Sequence, residues 1–105
     1  MSSRVGGFEE LVLLTVAGLG DEAYGVSVQQ RLEEETASAI SIGAVYTALE
    51  RLERKGFVRS RLGSATPQRG GRRKRMFQVT AGGVAILRDM RRIRSRLWKA
   101  VPHPA

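Results

Sequence analysis

The residues with the most chemical potential form one run of cations, Arg69-Gly70-Gly71-Arg72-Arg73-Lys74-Arg75. Guanidinium groups offer a rigid fork of donors that matches phosphate oxygens, and the paired glycines let backbone N–H groups approach the same anion. The chemistry open to such a run is contact with a polyanion, or simply a solvated basic face, not turnover. A second set of donors lies upstream, where Ser41, Tyr46, Thr47 and Arg51 alternate with the small residues Gly43 and Ala44. Small residues let a helix come close to another surface while hydroxyl and guanidinium groups reach it. Groups that turn over substrates or hold metals are scarce. The single histidine, His103, stands between Pro102 and Pro104, and there is no cysteine. One chain therefore cannot assemble a His-based triad, a thiolate site or a multi-histidine metal site, and no metal, cofactor or catalytic residue is expected.

The 105 residues, 42% hydrophobic and 27% charged, suit one small domain, and the net charge of +8 calls for an anionic partner. That charge is unevenly spread. Up to Gly56 five basic residues face nine acidic ones, a balance of −4; from Phe57 onward thirteen basic residues face only Asp89, a balance of +12. The longest apolar run, Leu11 to Leu19, falls well short of the roughly 20 residues of a membrane span, and the first residues lack the pattern of a signal peptide. The expectation is a cytoplasmic, nucleoid-associated protein that does not engage membranes.

Elements to position these groups follow from periodicity. Phe8–Leu19 reads as a helix that is apolar on more than one side, so it should be covered both by its own domain and by a partner subunit. Gly18 to Ala23 breaks it, with Asp21 and Glu22 suited to the start of the next helix, Tyr24–Thr36. Ser41 can cap a third helix over 41–55, ending at Gly56, with Val45, Leu49 and Leu52 inward and Gly43, Ala44, Tyr46, Thr47, Glu50, Arg51 and Arg54 outward. Phe57–Leu62 and Met76–Val79 read as the strands of a hairpin whose long tip, 63–75, holds the basic run. Thr80 caps a last helix, about Ala81–Val101, despite Gly82 and Gly83 in its first turn. Along it Ile86, Met90, Ile93, Leu97 and Ala100 make a heptad seam flanked by arginines.

The predicted fold is mainly α with a small β-hairpin: a winged helix-turn-helix over 7–79, a C-terminal dimerisation helix over 80–101 and a tail over 102–105. In that fold the third helix enters the major groove and the wing lies on the backbone. Four stretches, Gly7–Leu14, Leu19–Val26, Ile42–Val58 and Arg69–Gly83, resemble in order and spacing the PadR-type transcriptional regulators. The resemblance implies a homodimeric, sequence-specific regulator of double-stranded DNA, a repressor or an activator with repression the expected sign, acting on a pseudo-palindromic operator. It assigns DNA contact to Tyr24, Gly25, Ser41, Gly43, Ala44, Tyr46, Thr47 and Arg51, and to Arg69, Gly70, Gly71, Arg72, Arg73 and Lys74. Three of these have a second reading: Tyr24 as a core ring, Tyr46 as packing against the wing, and Arg51 as the ion-pair partner of Glu50 or of acids a turn away.

Dimer contacts are expected from Phe8, Leu11 and Val12 of the first helix and from Ile86, Met90, Ile93, Leu97 and Trp98 of the last. The chain resembles the short branch of the family, which lacks a large C-terminal domain. Arginines along the last helix would repel across a dimer unless Glu9, Glu10 or Glu33–Glu35 of the partner neutralise them. Trp98 lines either a plain interface or an interface pocket for a flat small-molecule effector. Asparagine is absent, so the Asn–adenine contact is unavailable to base readout. The rival functions are a nonspecific architectural nucleic-acid binder and an interaction module that docks its basic last helix on an acidic partner or an anionic membrane surface.

Overall fold

The computed structural model describes residues 5–65 and 73–103. Its elements are α1 (Gly7–Leu19), a short 3-10 helix (Gly20–Glu22), α2 (Gly25–Thr36), α3 (Ile42–Arg54), β1 (Val58–Ala65), β2 (Arg73–Val79) and α4 (Ala81–Trp98). Asp21 and Glu22 thus form a turn of their own and do not open α2. The start of α2 is organised instead by Ser27, whose hydroxyl accepts from the Tyr24 backbone N–H at 2.9 Å and donates to the Glu22 carbonyl. Gly20 closes α1 at φ +57, a left-handed value that favours glycine.

The three helices pack around Leu13, Val16, Val28, Leu32, Val45, Leu49 and Leu52, with Val58 and Phe77 of the hairpin closing one side. Val12 belongs to this core and is fully buried, which corrects its assignment to the dimer surface. A helix that is apolar all round carries no periodic mark of which side its own domain will take. The outward side of α1 is Phe8, Leu11 and Leu14.

Both strands are longer than the sequence suggests. The antiparallel register runs from Val58 opposite Val79 to Leu62 opposite Arg75, then shifts before Ala65 pairs with Arg73. The backbone ladder is indifferent to side-chain charge, so a basic segment extends the strand where composition reads as loop. Tyr24 bridges to Met76, and the Phe77 N–H donates to the Ala23 carbonyl at 2.9 Å, so the turn before α2 adds a third, minimal strand to the wing.

α4 begins as expected: the Thr80 hydroxyl accepts from the Gly83 N–H at 3.0 Å and donates to the Gly56 carbonyl at 2.7 Å. Its first turns rest on the core through Ile86 and Leu87, whereas every residue from Arg91 to Ala100 is exposed. The helix stops at Trp98, and tighter i to i+3 bonds from Ala100 and Val101 follow as the chain nears Pro102.

Candidate nucleic-acid interface

Ser41 caps α3 by accepting from the Ala44 N–H at 3.0 Å, and its position leaves Gly43, Ala44, Tyr46, Thr47, Glu50, Arg51 and Arg54 exposed. That is the outward face expected from the sequence. The Tyr46 ring lies across the first turn of α2: a Cβ placed on Gly25 would stand 2.4 Å from its Cζ and Oη. Tyr46 therefore packs on α2, while 40% of it stays exposed. Gly25 is the residue that permits this seat. In Gly25→Ala the atoms met are the far end of the ring, so the ring should swing away without unfolding the domain; the expected result is a changed tyrosine environment by NMR at a nearly unchanged Tm.

The basic run is divided by strand alternation. Lys74 lies over the Tyr24 ring, its Nζ 4.0 Å from the centroid, joining the wing to the start of α2. Arg75 turns the other way, donating to Glu53 Oε1 at 2.7 Å and to the Ser60 hydroxyl at 3.1 Å, while that hydroxyl donates to Glu53 Oε2 at 2.8 Å. It braces the wing against α3 and leaves the tally of free cations. Arg73 is exposed near the tip. Arg69, Gly70, Gly71 and Arg72 lie outside the described residues. Tyr24 itself is half-buried.

Arg51 has neither Glu50 nor an acid one turn away as its partner. It stands 3.8 Å from Glu9 of α1, and Lys55 donates to the same carboxylate at 2.8 Å. The neighbouring Glu10, buried at the α1–α4 contact, accepts from Arg94, with Nε at 3.1 Å. The sequence assigns Glu9 and Glu10 to a partner's arginines; both are instead used within the chain, tying α1 to α3 and to α4. Sequence reasoning had no access to these pairs, because the residues are 46 and 84 positions apart. It also passed over Leu14, which joins Phe8 and Leu11 on the open side of α1.

Of the seam on α4, Ile86 and Met90 are half-buried and Ile93, Leu97 and Ala100 exposed; Trp98, beside the seam, is exposed too, Leu97 to 66% and Trp98 to 69%. Among the described residues no three His, Cys, Asp or Glu side chains could hold a metal ion, and no helix is long and apolar enough to cross a membrane.

The sequence matches the profile of the Transcriptional regulator PadR-like family over residues 13–89. No curated protein matches it. Among solved structures it is similar to a PadR-like transcription factor from Bacteroides fragilis, with 18% identity and TM-score 0.75 over 88% of this chain and 84% of that one. A PadR-like regulator from Bacillus cereus aligns at 16% identity and TM-score 0.73, over 88% of this chain and 84% of that one. Bacillus subtilis PadR, solved in complex with operator DNA, aligns at 19% identity and TM-score 0.64, over 97% of this chain and 51% of that one.

Proposed function

The chain belongs to the PadR-like family of transcriptional regulators, and from that premise we propose that it binds double-stranded DNA sequence-specifically as a homodimer. α3 enters the major groove, the wing and the start of α2 hold the backbone, and two half-sites about one helical turn apart form a pseudo-palindromic operator. Its occupancy represses transcription. The protein works in the cytoplasm on the nucleoid, requires no metal and catalyses no reaction; an effector, if one is sensed, enters at the dimer interface beside Trp98.

One observation carries this reading. Tyr46 seated on Gly25 and Lys74 seated on Tyr24 make α3, the start of α2 and the wing one continuous surface, so the donors of all three can meet a single duplex. The resemblance to a protein solved on operator DNA agrees with it. Phosphate contacts would set register and base contacts specificity, so the two sets of residues should fail differently.

Duplexes enriched from a random pool should converge on a two-fold motif. Tyr46→Ala with Thr47→Ala should then lower the ratio of operator to random binding by about tenfold or more, the cost of losing roughly one base contact. Arg73→Ala should weaken all duplexes alike and reduce the salt slope by about one unit. A pool without any motif, bound as tightly as the enriched duplexes, would favour the architectural binder.

A further inference from the structure

The outward face of the hairpin holds cations that the basic tip does not account for. Residues paired across a ladder share a face, so the register puts Arg59 with Gln78 and Arg61 with Met76 on the side away from Phe77 and the core. Lys74, two residues before Met76, shares that side and reaches over Tyr24. The bridge from Met76 to Tyr24 extends the row, so Arg61, Met76 and Tyr24 stand abreast across three strands.

Arg59 and Arg61 are exposed, and neither has an ion-pair partner among the described residues, whereas Lys55, Arg75 and Arg94 are each held by a carboxylate. Two arginines at alternate positions of one strand lie about 7 Å apart and repel each other and Lys74. Among the described residues no ion pair offsets that repulsion. A row of phosphates would, because each guanidinium can take two oxygens of one phosphate while the next reaches its neighbour.

We propose that Arg59 and Arg61 continue the basic tip through Lys74 into a phosphate-binding strip on the outward face of the hairpin, along which the backbone of the bound duplex runs toward Tyr24 and the start of α2. The strip rests on the DNA-binding reading above. Asp21 is the one carboxylate in a groove whose lining also includes Arg59, Arg61 and Gln78. Its charge opposes the phosphate and tempers the strip.

The test compares binding of random duplex across a salt series for the full chain, Arg59→Ala/Arg61→Ala, Arg73→Ala and Asp21→Asn. All four substituted side chains are exposed, so folding is retained and is checked by circular dichroism. The strip predicts that the double variant lowers the slope of log K against log salt by about two units, leaves the operator-to-random ratio unchanged, and that Asp21→Asn strengthens binding to every duplex several-fold. A slope unchanged in the double variant while Arg73→Ala lowers it overturns the strip and leaves the wing intact. A parent chain that binds no duplex at all overturns the DNA-binding reading itself.

Discussion

Gly83→Ala should destabilise the protein by about 2 kcal/mol, an overpacking cost that wins although alanine is the better helix former by roughly 1 kcal/mol. The added Cβ would lie 2.3 Å from the Phe57 carbonyl oxygen and 2.6 Å from Val79 Cγ2. Neither atom can yield easily. The carbonyl is fixed by the Thr80 N–H, which donates to it at 3.0 Å, and the Phe57 N–H is itself bound to the Leu52 carbonyl at 2.9 Å. Relief requires α4 to move outward, and then Ile86 and Leu87 lose their seat and the Thr80 cap loses its geometry.

Gly82→Ala supplies the control. Its nearest neighbour would be Thr80 Oγ1 at 3.7 Å, an ordinary contact, so the propensity gain should survive and raise stability by roughly 0.5–1 kcal/mol. Thermal unfolding at one fixed protein concentration should therefore separate two adjacent glycines by sign: Tm falls by about 10 °C for Gly83→Ala and rises by a few degrees for Gly82→Ala. Equal shifts would show that close approach of α4 to the hairpin does not limit stability.

The same pair of glycines marks the boundary of what the sequence discloses. In the sequence Gly82-Gly83 is a defect in a helix start; only the packed structure shows that one of the two is required. Elements with a local cause were legible. Ser41 and Thr80 cap where their hydroxyls can reach an N3 amide, and Val45, Leu49 and Leu52 repeat at helical spacing, so the candidate recognition helix and its outward face come through intact. Features whose cause is nonlocal were hidden. Val12 and Leu11 are both apolar neighbours on α1, and which of them faces the core depends on where α3 and the hairpin pack. The cations at 73–75 read as one cluster, yet alternation sends Lys74 to Tyr24 and Arg75 to Glu53. Arg59 and Arg61 were overlooked because, as isolated cations in a strand, they carry no run; the register makes them a row.

On the homodimer proposed above, a chain with Ile93→Asp and Leu97→Asp should be monomeric and should bind the enriched operator about 10²–10⁴-fold more weakly, the range by which a second linked half-site raises avidity. The distal half of α4 touches little of its own domain. Ile93, Leu97, Trp98 and Val101 are all exposed there, as are Phe8, Leu11 and Leu14 on α1. Helix propensity alone does not support so open a segment in water, and an apolar seam of this spacing is satisfied by a second helix. In the separate chain the two aspartates stay solvated, so the core, which ends at Ile86 and Leu87, is untouched. In a dimer they are desolvated against apolar neighbours, at a cost of several kcal/mol each unless neutralised. Sedimentation should show one chain per particle, and circular dichroism should show the fold retained. Affinity for an isolated half-site should match that of the parent, since α3 and the wing are unchanged; only the gain from joining two half-sites is lost. Retention of the dimer with both aspartates present would place the interface elsewhere and return the seam on α4 to solvent or to a different protein.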